Sequence, residues 1–274
     1  MKTRIISAAI ALPLLLIVVL ALPKVLTAIL FGAMAAIAAY ELLFVTKLVT
    51  NVRLIAYSAI MAFLTAIWSY HGYPHSLETI GILVFLAALF AEMMISHIRV
   101  PFEKVAMCLA AGLLVPYLLT SLVRIHIMTP GRHYILIAFI LAFSSDTGAY
   151  FAGKFLGRHK LAPVISPKKT IEGVAGGVLA AVACMVLYAF ILSAGFKFQV
   201  NYGYAVIYGV AGSAASVFGD LCFSVIKRQT GIKDYGNILP GHGGVLDRFD
   251  SMMTVGPLTE ILLLMIPVAV PAVI

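Results

Sequence analysis

The chain has 274 residues, 62% of them hydrophobic and only 11% charged, with a formal net charge of +8. A mean hydropathy of +1.07 and a charged content well below the roughly 25% of soluble domains exclude an ordinary soluble globular protein. The basic excess does not call for a nucleic-acid partner, because anionic lipid head groups attract the same residues.

A helix needs about 20 apolar residues to cross a hydrocarbon core about 30 Å thick. That ruler predicts an all-α polytopic membrane protein with about nine transmembrane helices, near 5–22, 25–46, 53–71, 79–98, 104–124, 133–152, 172–194, 203–226 and 252–273. The first run follows Lys2 and Arg4, but no small-residue cleavage site ends it, so it reads as a retained span rather than a signal peptide.

Basic residues concentrate on the cytoplasmic side of membrane proteins. With the N-terminus inside, fifteen of the 19 lysines and arginines fall on the cytoplasmic side, and only Lys24, Arg124, Arg132 and Lys197 fall outside. This predicts a cytoplasmic N-terminus, an external C-terminus and a multi-pass protein of the cell membrane. Cys108, Cys184 and Cys222 lie in apolar spans without CxxC spacing and read as small hydrophobes. His71, His75, His97, His126, His133 and His159 sit in a short external loop or at span ends, where interfacial packing accounts for them.

Acidic residues divide the chain unequally. Up to about residue 130 only Glu41, Glu78, Glu92 and Glu103 occur, scattered without a motif, so residues 1–130 read as a scaffold of about five helices. Residues 131–274 hold Asp146, Glu172, Asp220, Asp234, Asp247, Asp250 and Glu260, and read as the catalytic region, with cytoplasmic segments at 153–171 and 227–251. Glu260, well inside the last span, fits no motif.

Asp220, Ser224 and Lys227 are spaced to share one helix face. An acid about 10 Å inside the membrane boundary, at 1.5 Å per residue, is expensive unless it faces a wet cavity and a cation. A salt bridge to lysine or arginine is the rival reading. Asp247 and Asp250, three apart, would share a face at the start of the last span, and three such carboxylates suit a hard cation such as Mg²⁺ held with substrate phosphates. Gly243 and Gly244 can expose backbone N–H groups to anions, though a tight turn is the alternative. Lys227, Arg228, Lys233 and Arg248 add positive charge.

Ser166-Pro167-Lys168-Lys169-Thr170-Ile171-Glu172-Gly173 reads as a helix start, with Ser166 at the N-cap and Pro167 at the first helical position. Its free N–H groups with Lys168 and Lys169 would form a phosphate site, unless the lysines merely anchor a span. Gly173, Gly176 and Gly177 read as helix-packing positions. Asp146 reads as a second polar wall of the cavity, with a structural hydrogen bond as its rival.

Three stretches resemble the phosphatidate cytidylyltransferases, also called CDP-diacylglycerol synthases. They are Ser224–Arg228 with Lys233-Asp234-Tyr235-Gly236 and Leu239-Pro240-Gly241-His242-Gly243-Gly244-Val245-Leu246-Asp247-Arg248-Phe249-Asp250; Ser145-Asp146-Thr147-Gly148-Ala149-Tyr150; and Ser166–Gly173. The resemblance covers roughly residues 140 to 260. It implies transfer from CTP to phosphatidic acid, giving CDP-diacylglycerol and pyrophosphate in phospholipid biosynthesis, with Mg²⁺ required and a second metal ion left open. It also implies a homodimer in contact with membrane lipids, working at the cytoplasmic face.

On that reading Asp220, Asp247 and Asp250 hold the metal. Lys227, Arg228, Lys233, Arg248, Gly243 and Gly244 bind phosphate, and Ser166, Lys168, Lys169, Glu172 and Asp146 contribute from the other segments. His242 and Asp234 either contact substrate or shape the loop. Two alternatives remain: a CTP-dependent transferase or kinase acting on an isoprenoid alcohol or ether-lipid phosphate, and an ion-coupled transporter. The acids cluster at one face, which disfavours a path across the whole membrane.

Overall fold

The computed structural model describes residues 2–72, 75–96, 100–238 and 243–272. The protein is helical and polytopic. Among the described residues seven helices are long and apolar enough to cross a membrane, and two shorter apolar helices, Ala9–Leu20 and Met252–Met265, stand where the sequence puts the first and last spans. The chain divides into two compact units, residues 1–127 with 226–249, and residues 128–225 with 250–274.

The first unit begins with α1 (Lys2–Leu20) and α2 (Lys24–Tyr40), the latter continued by a π-helical turn over Glu41–Val45. α3 (Val52–His71) starts at Asn51, whose side chain accepts the Arg53 N–H, and stops at Gly72 in the left-handed conformation. α2 packs against α3 and buries the small residues Ala28, Gly32, Ala35 and Ala39; a Cβ on Gly32 would come 3.0 Å from the Phe63 ring of α3. Where water is absent, such small residues allow helices the close packing that holds them together. α4 (His75–Ile95) leaves Leu77, Ile80, Leu83 and Val84 exposed, as a lipid-facing helix does. α5 (Phe102–Leu109), a π-turn over Ala110–Leu114, α6 (Val115–Leu119) and α7 (Ser121–Ile127) make one bent span.

The second unit is built on α8 (Gly131–Leu156) and α9 (Ile171–Phe196), separated by an antiparallel hairpin of β1 (Lys160–Ala162) and β2 (Ser166–Thr170). Gly148 and Gly176 let these helices touch: an added Cβ would lie 2.4 Å from Ala180 Cβ in the first case and 2.2 Å from Ala152 Cβ in the second. β3 (Phe198–Val200) leads into α10 (Tyr202–Gln229), whose last residues, from Ile226, count with the first unit.

The short α11 (Leu246–Phe249) belongs to the first unit, and α12 (Met252–Met265) to the second. The last helix ends at Met265 rather than near 273, because Pro267 disfavours a helical residue before it and cannot extend the ladder. β4 (Ala269–Pro271) follows and pairs with β3. Tyr134 and Tyr208 fix this end by donating to the carbonyls of Ala269 and Ile266.

The helix start read at Ser166 is corrected. Ser166–Thr170 is a strand, with Ser166 opposite Ala162 and Thr170 opposite Lys160. The N-cap is Thr170, whose Oγ1 accepts the Gly173 N–H at 3.1 Å. A serine-proline pair suits a helix start, but proline is also at home on the edge of a two-stranded sheet, where its missing N–H costs nothing. Cys108, Cys184 and Cys222 are free thiols.

Candidate active site

In the first unit Asp247 organises the segment 226–249. Its side chain is 3% exposed. Oδ1 receives Lys227 Nζ at 2.8 Å, and Oδ2 receives the backbone N–H groups of Tyr235 at 2.7 Å and Gly244 at 3.0 Å. Lys227 is presented by the end of α10, where Gly231 turns the chain at φ +71° and Ile232 donates back to the Lys227 carbonyl. Its ammonium also lies 5.4 Å from the centre of the buried Tyr235 ring. Gly243 has φ +88°, and a Cβ there would meet Asp247 Oδ2 at 2.8 Å, so both conformation and space call for glycine.

The N–H groups after the glycines are committed within the protein. Gly244 donates to Asp247, while Val245 and Leu246 donate to the two oxygens of Glu41 at 3.0 and 2.9 Å. Arg228, Lys233, Asp234 and Arg248 are exposed around this turn. His242, with Leu239, Pro240 and Gly241, lies outside the described residues, as do His97 and Arg99.

The second unit joins Asp146 of α8, Lys169 of β2, Asp220 of α10 and Asp250 at the entry to α12. Asp220 Oδ2 lies 2.8 Å from Lys169 Nζ, and its Oδ1 accepts from Ser224, one helical turn on, at 3.0 Å. The salt bridge that stands as the rival role for Asp220 is therefore present. Asp146 accepts from Ser216 at 2.9 Å and from Ser251 at 3.4 Å, and Asp250 Oδ1 accepts the Ser251 N–H at 2.8 Å. Gly219 makes this closeness possible, since a Cβ there would stand 2.4 Å from Thr254 Oγ1 and 2.6 Å from the Asp250 carbonyl.

Lys168 is exposed on the strand beside Lys169, and successive strand residues point to opposite faces. Glu172 fastens the hairpin, accepting from the Arg158 and His159 N–H groups at 3.0 and 3.2 Å and facing His159 Nδ1 at 2.6 Å.

Sequence reasoning misses Glu41, Ser216 and Ser251. Ser216 carries a faint signal, one turn before Asp220. Glu41 carries none beyond being an acid in an apolar span. Within neither unit do three His, Cys, Asp or Glu side chains of the described residues gather closely enough to hold a metal ion unaided. The acidic donors are nonetheless carboxylates with hydroxyl neighbours, the oxygen set a hard cation prefers. Of roughly four lone-pair sites per carboxylate, donors among the described residues take three on Asp247 and two on Asp220.

This arrangement suits an anionic reactant: lysines already held by carboxylates, with exposed cations beside them. The chain matches the cytidylyltransferase family over residues 2–266. A protein of Staphylococcus saprophyticus named phosphatidate cytidylyltransferase is 46% identical over 136 residues, 50% of this chain and 51% of the relative. Proteins of the same name from Staphylococcus haemolyticus and Staphylococcus aureus strain COL are each 47% identical over 134 residues, 49% of this chain and 50% of theirs. The chain spans about half the length of the curated relatives it matches.

Proposed function

The chain belongs to the cytidylyltransferase family, and from this we propose that it transfers the cytidylyl group of CTP to phosphatidic acid, forming CDP-diacylglycerol and pyrophosphate. A phosphate oxygen of the lipid bonds to the α-phosphorus of CTP as the bond to the β-phosphate oxygen breaks and pyrophosphate leaves. Both reactants are anions, so catalysis rests on alignment and charge neutralisation and needs no protein nucleophile.

The observation that carries this reading is a pair of lysines held by carboxylates, Lys227 by Asp247 and Lys169 by Asp220, each at 2.8 Å. An ammonium fixed in this way keeps donors for a phosphate without paying for its ordering again. Lys227, Arg228, Lys233 and Arg248 bind phosphate in this proposal, with Lys168 and Lys169 acting from the hairpin. Asp146 holds Ser216 and Ser251, Glu172 and Ser166 shape the hairpin, Asp234 serves the turn that includes Gly243 and Gly244, and His242 is assigned to substrate contact or to shaping the loop.

Mg²⁺ is the proposed cofactor, with Asp220, Asp247 and Asp250 as the residues to hold it, each judged by its oxygen chemistry. When bound, the ion would neutralise triphosphate charge and favour departure of pyrophosphate. The inside bias of the basic residues supports a cytoplasmic N-terminus, an external C-terminus and a cytoplasmic site. Membrane lipids as partners follow from the exposed apolar faces, and homodimerisation rests on the family alone.

The test is purified protein in mixed micelles with phosphatidic acid, labelled CTP and Mg²⁺. A chloroform-soluble cytidine product that disappears on chelation and in Asp247→Asn supports the assignment. Bound CTP without product overturns phosphatidic acid as the acceptor.

A further inference from the structure

Glu41 is the one fully buried carboxylate among the described residues, at 0% exposure on an apolar helix. Removing an ionised carboxylate from water is costly unless hydrogen bonds replace the lost hydration. Its two oxygens take the N–H groups of Val245 and Leu246, one each, at 3.0 and 2.9 Å. The backbone closes on it so tightly that a Cβ at Gly244 would come 2.4 Å from Oε1, and one at Gly236 2.7 Å from the same atom.

These contacts fall on the residues next to those held by Asp247. Tyr235 donates to Asp247, and at the next residue, Gly236, an added Cβ would meet Glu41; Gly244 donates to Asp247 while Val245 donates to Glu41. Two carboxylates thus grip the 244–246 turn at adjacent residues. Asp247 also holds Lys227, so the place of that ammonium depends on a turn that Glu41 fixes.

We propose that Glu41 is a positioning residue of the transferase site: it clamps the Gly244–Leu246 turn and so sets the Asp247–Lys227 pair where a substrate phosphate meets it. This rests on the cytidylyl-transfer reading of the segment 226–249. Glutamine is no substitute, because its amide nitrogen would face one of the two N–H donors. The clamp explains an acid in a helix otherwise suited only to packing, and it explains why glycine stands at both 236 and 244.

The experiment uses the full chain in detergent and four variants: Glu41→Gln, Glu41→Asp, Gly244→Ala, and the Glu41→Asp/Gly244→Ala double. Glu41→Gln and Gly244→Ala are expected to lower kcat by about tenfold or more, the order seen when alignment is disturbed rather than a reacting group removed, with a smaller change in KM for CTP. The shorter aspartate leaves room for the alanine methyl, so the double variant recovers activity relative to the sum of the two single losses.

Hydrogen exchange gives a readout independent of turnover. In Glu41→Gln the amides of residues 243–248 should lose protection while α3 and α9 keep theirs. Wild-type kcat in Glu41→Gln, additive losses in the double variant, or unchanged protection at Val245 and Leu246 would overturn the clamp. Should Glu41→Gln not fold, the aspartate and alanine variants decide the matter through their coupling. A wild-type protein that makes no CDP-diacylglycerol yet shows the local exchange effect would sink the transferase reading and leave the clamp standing.

Discussion

Lys227 Nζ stands 2.8 Å from Asp247 Oδ1, with side chains 12% and 3% exposed, so the ion pair is almost dry. Losing one partner of such a pair leaves the other charge uncompensated and costs about 3–5 kcal/mol. Lys227→Met alone should therefore lower the melting temperature sharply and stop turnover. Lys227→Met combined with Asp247→Asn removes both charges and should regain most of the stability, as read by thermal unfolding in detergent, while cytidylyl transfer stays absent. Recovery of turnover in the double variant would show that the pair serves only the fold.

The pair Lys169–Asp220 predicts a different balance, because its side chains are 22% and 30% exposed. Water screens it, and its direct worth to stability is about 1 kcal/mol or less. Asp220→Asn should fold with a small change in melting temperature yet lose activity by about a hundredfold, the order for an electrostatic group at the reacting centre. Lys169→Ala should raise KM for CTP more than it lowers kcat. Near-normal kinetics in Asp220→Asn would return the residue to structural ion pairing.

Chelation should separate the same roles. In the proposed site Asp220 holds the metal and Lys169 only pairs with Asp220, so Asp220→Asn should raise the Mg²⁺ concentration for half-maximal rate more than Lys169→Ala does. The titration of initial rate against Mg²⁺ measures this, and equal dependence in both variants would remove Asp220 from the metal.

The spans are legible because crossing a hydrocarbon core demands apolar runs of about 20 residues, a length that soluble cores seldom need. The loop around Asp247 is legible because its polar residues are contiguous. Lys169 and Asp220 are 51 positions apart and meet only in the folded chain, a relation that no local spacing encodes. Glu41 is legible only as an acid out of place. Its partners are backbone N–H groups more than 200 residues away, which have no side-chain signature. The end of the last helix is hidden from hydropathy, which runs on through Pro267 and Pro271 although the helical ladder does not.

The hairpin before α9 gives a prediction that separates the two possible helix starts in Ser166–Thr170. If Ser166 capped the helix, its removal would matter most. With Thr170 as the cap, Thr170→Ala should cost about 1 kcal/mol, seen as a lower melting temperature. Ser166→Ala should be close to neutral. The reverse order would move the helix start back to Ser166.

The α8–α9 contact can be tested with glycines of opposite kind. At Gly176 an added methyl would lie 2.2 Å from Ala152 Cβ, and at Gly148 2.4 Å from Ala180 Cβ, distances that no side-chain rotation relieves because both neighbours are alanine. Gly148→Ala and Gly176→Ala should therefore push the helices apart at a cost of about 1–3 kcal/mol each. Gly195, near the end of α9, has no atom within 4 Å of the added carbon. Alanine there gains helix propensity without a clash, so Gly195→Ala should unfold at or slightly above the wild-type temperature. Because α8 carries Asp146 and α9 follows directly on the strand carrying Lys169, the two destabilising variants should also lose transfer activity. Destabilisation of all three to the same degree would mean that helix flexibility, not the close approach at Gly148 and Gly176, decides the stability of this unit.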